Sequence, residues 1–191
     1  MTTGTALDRP ARIRRALRDL VAEQGFHGAS MSAVAKAAGV ATGTAYVHYD
    51  SKEELVYATY LELKRALGEY VLSRIDGEAL PGERYGLIWR AIYEHLTEDP
   101  ARARFLTQLE ASPYYEKAHQ RLIEEGDPLM EEAARPDLAE LLIPLPPEVL
   151  YSLSIGHAVR LAAAGVQLNP GEIDSLIEAT WRAITRPEVV G

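Results

Sequence analysis

The sequence predicts an all-α fold of about nine helices, in which a small three-helix head is joined by one long helix to a larger helical body. Three observations support this. Apolar residues recur at three- and four-residue steps through most of the 191 residues. Proline and glycine stand where helices are expected to start and end. No alternating run of strand length interrupts these segments.

Composition narrows the class of protein. Hydrophobic residues make up 47% and charged residues 25% of the chain, as in ordinary globular proteins. No apolar run approaches the roughly 18 residues of a membrane span, and the N-terminus lacks the apolar segment of a signal peptide. The absence of cysteine excludes disulfides and thiolate metal sites. We therefore expect a cytoplasmic protein with no membrane partner.

The first helix is predicted to follow residues 1–8, which we expect to fray. Pro10 suits its first turn, Asp8 is a candidate cap, and Gly25 is the predicted end. Its apolar stripe consists of Ile13, Leu17, Leu20 and Val21.

Two short helices follow, over about 31–38 and 43–49. Between them stands Gly39, which can adopt a left-handed backbone, and the hydroxyls of Thr42 and Thr44 are candidate caps for the second helix. Two short helices joined by a tight glycine turn predict a helix-turn-helix over about 31–50, whose second helix suits a DNA major groove.

Helix 4 is predicted to be the longest. Ser51 and Glu54 have the spacing of a capping box, and the helix should run from Lys52 to about Asp76, with Gly77 as its stop. About 25 residues make about 37 Å of helix, enough to connect a head to a separate body. Helix 4 is therefore expected to act as a lever between the two.

The body is predicted to contain five further helices. They start at Pro81-Gly82, Asp99-Pro100, Ser112-Pro113, Pro147 and Asn169-Pro170. The third should break at Gly126-Asp127-Pro128 and resume to about Ala134, and the last two should end near Gly165 and Arg186. Residues 135–146 are expected to form a loop with a short helical turn.

Charge is divided unevenly along the chain, whose net charge is -8. Residues 1–48 hold six Lys and Arg against three acidic residues, and the rest holds 14 against 25. The head is therefore +3 and the body -11. Positive charge lies where a DNA-binding surface is expected, and the acidic body would repel phosphate.

The stretch GVATGTAYVHYDSKEEL, from Gly39 to Leu55, resembles the signature of the tetracycline-repressor (TetR) family. The likeness runs from about Ile13 to about Tyr60. It implies a DNA-binding head over residues 1–51 and a ligand-binding and dimerisation body over 52–191. It further implies a homodimer that represses transcription at a palindromic double-stranded DNA operator until a small hydrophobic effector releases it.

The resemblance places DNA contacts in the head. The positions implied are Thr42, Gly43, Thr44, Tyr46, His48 and Lys52. Ser30 and Ser32, at the start of the second helix, are further candidates for phosphate contacts. Thr42 departs from the lysine common in the family, and Asp50 is unfavourable near phosphate unless it faces inward or caps helix 4. We assign Tyr49 to the core of the head and Tyr46 to DNA.

Two further sets of residues are predicted in the body. Aromatic and polar-tipped residues suited to an apolar effector pocket are Trp89, Tyr93, Phe105, Tyr114, Tyr115 and His119. The dimer interface implied by the resemblance consists of Ile155, Gly156, Val159, Ala163, Ile173, Ile177, Thr180 and Ile184. An ordinary intramolecular core explains the apolar periodicity of the second set equally well.

Alternatives remain open. The first alternative is a regulator of the same fold that activates transcription or responds to a protein partner. Glu116-x-x-His119 has the spacing of a di-iron helix, so the second alternative is a helical metal-dependent oxidoreductase. No second Glu-x-x-His exists, and hydrolase, P-loop and dinucleotide motifs are absent from the sequence. We therefore expect no catalysis, no metal and no cofactor.

Overall fold

The computed structural model describes residues 8–187, so the predicted fraying of the N-terminus falls almost wholly outside the described residues. Twelve helices and no strand occur within that range: α1 Arg9–Gly28, α2 Met31–Ala38, α3 Thr42–His48, α4 Lys52–Leu72, α5 Pro81–Glu98, α6 Pro100–Glu110, α7 Tyr115–Glu125, α8 Pro128–Ala133, α9 Pro136–Ala139, α10 Pro147–Leu153, α11 Ile155–Ala163 and α12 Pro170–Ile184. The all-α prediction is confirmed.

α1 begins as predicted but ends later. The Asp8 carboxylate accepts a hydrogen bond from the Ala11 amide at 2.8 Å, which caps the helix. Gly25 has φ 71° and ψ 177°, so it interrupts the helix, yet the chain returns to a helical path as far as Gly28. Gly25 therefore ends the regular part of α1 as predicted, and one further helical turn follows the kink.

α3 lacks the predicted hydroxyl cap. Its N-cap is Ala41, which has no side-chain acceptor, and Thr42 already belongs to the helix. The Ala41 carbonyl accepts the amides of Thr44 at 2.9 Å and Ala45 at 3.3 Å, so the backbone itself closes the first turn.

α4 is shorter than predicted, because it ends at Leu72 instead of near Asp76. The Tyr70 carbonyl there accepts hydrogen bonds from the Ser73 hydroxyl at 2.7 Å and from Arg74 at 3.2 Å. These side chains donate to a carbonyl that would otherwise accept the amide of the next helical turn. The 21 residues span about 32 Å.

Helix breaks account for the difference between nine predicted helices and twelve observed ones. The expected break at Gly126 separates α7 from α8, and the expected turn within 135–146 is α9. The helix predicted from Pro147 to Gly165 is split at Ser154, whose φ of -123° and ψ of -103° lie outside the helical region. The Ser154 hydroxyl donates to the Leu150 carbonyl at 2.6 Å and stabilises the bend.

The helices share one apolar core. In it, α1 packs against α2, α4 and α6, while α11 packs against α5 and α6, and α12 against α5. No helix within residues 8–187 is long and apolar enough to cross a membrane.

Ion pairs hold the segment 127–137 against the body. Arg84 on α5, only 1% exposed, lies 2.6 Å from Glu132 and 2.8 Å from Asp137. Lys64 on α4 lies 3.0 Å from Asp127, which is 3% exposed. A buried charge is tolerated only when it is paired, so these contacts fix the path of α8 and α9.

Candidate nucleic-acid interface

The turn between α2 and α3 is built on Gly39. Its φ of 65° and ψ of 39° are left-handed, and its amide and that of Val40 donate to the α2 carbonyls of Lys36 at 3.1 Å and Ala35 at 2.9 Å. A terminal nitrogen of Arg12 on α1 donates to the Ala38 carbonyl at 2.5 Å. Sequence reasoning assigned no role to Arg12, because a cation at this position carries no signal beyond its charge.

α3 presents most of its surface to solvent. Ala45 is fully buried and anchors the helix, whereas Tyr46 is 50% and Val47 81% exposed. The other residues of α3 that are predicted to contact DNA and are exposed are Thr42, Gly43 and His48, and Thr44 is half-buried. Val47 was missed by sequence reasoning; a bare apolar side chain on such a helix suits a thymine methyl group.

Tyr46 lies beside a cleft at the junction of head and body. The cleft has a volume of about 430 Å³ and is lined by Phe26, His27, Ser30, Met31, Tyr46, Lys52, Pro113 and Tyr114. The structure thus brings together three predicted contacts, Ser30, Tyr46 and Lys52, around one opening. Their hydroxyl and ammonium groups are donors suited to phosphate oxygens.

Ser30 and Lys52 already have partners in the chain. The Ser30 hydroxyl caps α2 by accepting the Ala33 amide at 3.2 Å, and it lies 3.1 Å from the Ser32 hydroxyl. Lys52 donates to the Phe26 carbonyl, and burial lowers its pKa. The Lys52 ammonium has three donors, so it can contact a phosphate while one of them stays bound to the Phe26 carbonyl.

Tyr49 differs sharply from Tyr46. Its hydroxyl accepts a hydrogen bond from Arg14 at 2.7 Å, and burial raises its pKa. Arg14 also pairs with Glu62 on α4, at 2.5 Å and 3.0 Å. Tyr49 therefore ties the end of α3 to α1, and Arg14 in turn links α1 to α4. This contact agrees with the assignment of Tyr49 to the core of the head.

Asp50 stays exposed between α3 and α4. The cap of α4 is Ser51, which accepts the Glu54 amide at 3.2 Å. The reciprocal half of the predicted capping box is not made: the Glu54 carboxylate binds Arg121 at 2.8 Å through both oxygens. Asp50 therefore remains a negative charge beside the candidate DNA surface.

The six predicted pocket residues do not form one group. Trp89, Tyr93 and Phe105 are buried in the core. The Tyr93 hydroxyl donates to the Val166 carbonyl at 2.7 Å and accepts from the Leu168 amide at 3.0 Å. Tyr114 packs on Phe26 at the head, with ring centroids 5.1 Å apart. Tyr115 and His119 remain half-buried on α7 and stack at 5.3 Å.

The eight predicted interface residues lie mainly inside one chain. Those buried there are Gly156, Val159, Ile173, Thr180 and Ile184. The Thr180 hydroxyl, for example, accepts a hydrogen bond from Tyr85 on α5 at 2.8 Å. Ile155, Ala163 and Ile177 are half-buried. The periodicity of α11 and α12 therefore largely reflects packing on α5 and α6.

The predicted metal alternative finds little support in the geometry. Glu116 is exposed, and His119 stacks on Tyr115. Across the described part of the chain, no three His, Asp or Glu side chains come together as a set of metal ligands.

Comparison with known proteins gives consistent results. Residues 13–59 match the model of the bacterial regulatory proteins of the tetR family, and residues 82–185 match a tetracyclin repressor-like C-terminal domain. A Haemophilus influenzae HTH-type transcriptional regulator is 30% identical over 173 residues, which cover 87% of this chain and 90% of that relative.

Solved structures extend the likeness to the whole fold. A TetR-family transcriptional regulator from Haemophilus influenzae superposes with a TM-score of 0.77 at 28% identity, covering 94% of this chain and 97% of that one. A TetR family protein from Vibrio parahaemolyticus gives 0.72 at 27% identity, covering 94% and 100%. The similarity therefore includes head and body alike.

Proposed function

The chain belongs to the TetR family of bacterial regulatory proteins, and on that premise we propose that it is a ligand-responsive repressor. As a member it is a transcriptional regulator with a DNA-binding helix-turn-helix. We assign DNA binding to residues 1–51 and effector binding and dimerisation to residues 52–191. The operator is a palindromic double-stranded DNA in the cytoplasm, and a small, largely hydrophobic molecule releases the protein from it.

The observation that carries the proposal is the exposure of α3. A helix anchored by buried Ala45 presents Thr42, Gly43, Tyr46 and His48 to solvent, as base readout in a major groove requires. Val47 joins this proposed contact surface. Ser30, Ser32, Thr44 and Lys52 would position the head on phosphates around it.

A helix-turn-helix reads only a few base pairs, so a symmetric dimer is the economical way to reach specificity. Most of the predicted interface residues are buried within one chain, and the free face of α12 supplies an alternative surface. Ser175, Ala179 and Ala183 are exposed there at four-residue steps, which would allow two helices to approach closely.

Selection of bound fragments from a random DNA library tests the proposal. A palindrome with half-sites about one helical turn apart is expected. Purified protein should contain no stoichiometric iron or manganese, since a metal-dependent oxidoreductase would retain it. Lack of any enriched sequence at low salt, from folded protein, would argue against the repressor proposal.

A matched pair of tyrosine variants tests the contact surface. Tyr46→Ala should weaken operator binding about tenfold or more, because its exposed ring and hydroxyl face the groove. Tyr49→Phe should lower the free energy of unfolding by about 1 kcal/mol through loss of the Arg14 hydrogen bond. Fluorescence anisotropy with labelled operator and urea unfolding measure the two effects. Unchanged binding by Tyr46→Ala would remove Tyr46 from the interface.

A further inference from the structure

The junction cleft, which lies between head and body beside Tyr46, has the dimensions of a small-molecule site. Its volume of about 430 Å³ falls in the range of roughly 300 to 1,000 Å³ that is usual for ligand pockets. Its walls come from α1, α2 and α3 of the head, from the first residue of α4, and from Pro113 and Tyr114 just before α7. A molecule bound in the cleft would therefore touch both parts of the chain.

Aromatic rings form part of the wall. Phe26 follows the kink at Gly25, and its ring centroid lies 5.1 Å from that of Tyr114 and 6.0 Å from that of Phe105 in the core. Phe26 and Tyr114 both line the cleft and are only half-buried, so part of each ring is free for a ligand. Tyr46 adds a third ring, half of whose residue surface is exposed. Such rings suit an aromatic ligand, which can stack on them or meet their edges.

Lys52 supplies a positive charge to the same cleft. Its ammonium donates to the Phe26 carbonyl and lies 6.0 Å from the centroid of the Phe26 ring. An ammonium has three donors, so two of them remain for a ligand. Within residues 8–187 Lys52 forms no ion pair, and burial lowers its pKa. An anion beside this ammonium would favour the charged form of Lys52 and would accept a charge-assisted hydrogen bond.

The combination of rings and one ammonium selects the class of ligand. A cation would be repelled by Lys52, and a neutral apolar molecule would leave the ammonium without a counter-charge. Inorganic phosphate would pair with Lys52 but would leave the aromatic wall uncovered. Glu53 acts on both Lys52 and Tyr114, but it is exposed on the first turn of α4, where water and salt screen its charge. An aromatic ring that carries a carboxylate matches both features of the cleft.

We infer that the junction cleft binds a small aromatic carboxylate, with its ring against Phe26 and Tyr114 and its carboxylate on Lys52. This site goes beyond the proposed function, which assigns effector binding to the body alone. The bound molecule would cover Ser30, Tyr46 and Lys52, so the carboxylate and the operator would exclude each other. Only this second part rests on the proposed function, because it takes these three residues as DNA contacts.

Calorimetric titration of the full chain with three probes tests the binding site: 2-naphthoate, 2-naphthylmethanol and inorganic phosphate. The naphthoate should bind at least about tenfold more tightly than the alcohol, which lacks the charge, and than phosphate, which lacks the ring.

Two variants with matched controls locate the probe. Lys52→Gln should weaken naphthoate binding about tenfold or more and leave the binding of the alcohol unchanged. Tyr114→Leu should weaken both by about threefold or more through loss of the ring. The controls are Lys117→Gln, at an exposed lysine of α7, and Tyr115→Leu, at a half-buried tyrosine outside the cleft. Both should bind naphthoate as the unaltered chain does.

Operator binding with and without saturating 2-naphthoate, followed by fluorescence anisotropy, tests the exclusion. The naphthoate should weaken operator binding of the unaltered chain about tenfold or more, and at the same concentration it should do so less in Tyr114→Leu.

The inference would be overturned by equal or tighter binding of the alcohol or of phosphate, by no binding of naphthoate, or by undiminished binding in Lys52→Gln with an unchanged circular dichroism spectrum. An operator affinity that naphthoate leaves unchanged would refute the exclusion of DNA. A chain that binds its operator but no naphthoate refutes only the cleft site. A chain that binds no DNA refutes the proposed function, and the calorimetric test of the cleft still stands.

Discussion

At the scale of single residues, two glycines of the head have opposite roles. Gly39 occupies the left-handed region, and an added Cβ would lie 3.0 Å from the Arg12 guanidinium that binds the end of α2. Gly43 lies in the first turn of α3, where an added Cβ would meet no atom within 4 Å. The first glycine is needed for the turn. The second leaves an open surface, which in the proposed complex faces DNA.

Alanine at each position separates these roles. Gly39→Ala should destabilise the protein by about 1 kcal/mol or more, because a left-handed backbone disfavours a side chain. Gly43→Ala should leave stability unchanged or raise it by up to about 1 kcal/mol, because alanine favours a helix. Gly43→Ala should nevertheless weaken operator binding, since the added methyl group would keep the backbone of α3 from coming close to DNA. Thermal unfolding and anisotropy measure both effects; equal stability losses would contradict this division.

At the scale of elements, α7 is tied to the first turn of α4, which directly follows the helix-turn-helix. Tyr115 and His119 lie on its first turns, and Arg121 follows on the same helix. Arg121 binds the Glu54 carboxylate through both terminal nitrogens at 2.8 Å, and its guanidinium lies 4.5 Å from the Tyr57 ring. Glu54 belongs to the first turn of α4, beside the cap that follows the recognition helix. A shift of α7 would therefore move the first turn of α4, which directly follows the head.

Arg121→Ala should loosen the first turns of α4. An ion pair at this exposure contributes about 0.5 kcal/mol, so hydrogen exchange at residues 54–57 should become about twofold faster or more. The matched control is Arg65→Ala, which removes a longer pair between α4 and α7 at 3.4 Å. Equal protection of residues 54–57 in both variants would show that Arg121 does not stabilise this end of α4.

The same contact has a predictable pH response. The Arg121 hydrogen bonds lower the pKa of Glu54, so the folded state holds this carboxylate ionised more firmly than the unfolded chain does. Its contribution to stability is therefore present above the ordinary glutamate pKa and is lost as the pH falls through the lowered one. Exchange at residues 54–57 in Arg121→Ala and in the unaltered chain should converge at low pH.

At the scale of the whole molecule, the head has a net positive charge and the rest of the chain a net negative one. Residues 1–48 have a net charge of +3 within a chain of net charge -8. The acidic body repels DNA and the basic head attracts it. The charge distribution therefore turns the head of the molecule towards DNA. Binding through phosphate contacts releases counterions, which makes the affinity depend on salt.

Operator affinity should fall about tenfold or more when salt is raised from about 50 to 200 mM, which requires only about two phosphate contacts. Lys36→Gln, at an exposed lysine of α2, should make the slope of log affinity against log salt shallower by about 1 if Lys36 meets a phosphate. Arg182→Gln, on α12 of the body, should leave the slope unchanged. A flat response of the unaltered chain would argue against phosphate contacts by the head.

The sequence by itself determined the features that depend on neighbouring residues. The left-handed turn at Gly39, the serine cap of α4 and the proline starts of α5, α6, α10 and α12 were predicted correctly. The start predicted at Ser112-Pro113 was wrong, because α7 begins at Tyr115 without a side-chain cap. Each correctly predicted feature depends on backbone geometry or on hydrogen bonds within one turn, so the residue type alone indicates the structure. The head and its DNA partner could therefore be predicted before any packing was known.

Only the tertiary structure decided which side chains are free. Tyr46 and Tyr49 are three residues apart, yet Arg14 of α1 donates its hydrogen bond to Tyr49 and leaves Tyr46 exposed. Glu110 on α6 and Tyr151 on α10 are 41 residues apart, yet the Tyr151 hydroxyl donates a hydrogen bond to Glu110 at 3.1 Å. The apolar stripes of α11 and α12 proved to be mostly internal, because α5 and α6 cover them. Burial depends on contacts between segments that are distant in sequence. Periodicity shows that one face of a helix is covered, but it does not identify the element that covers it.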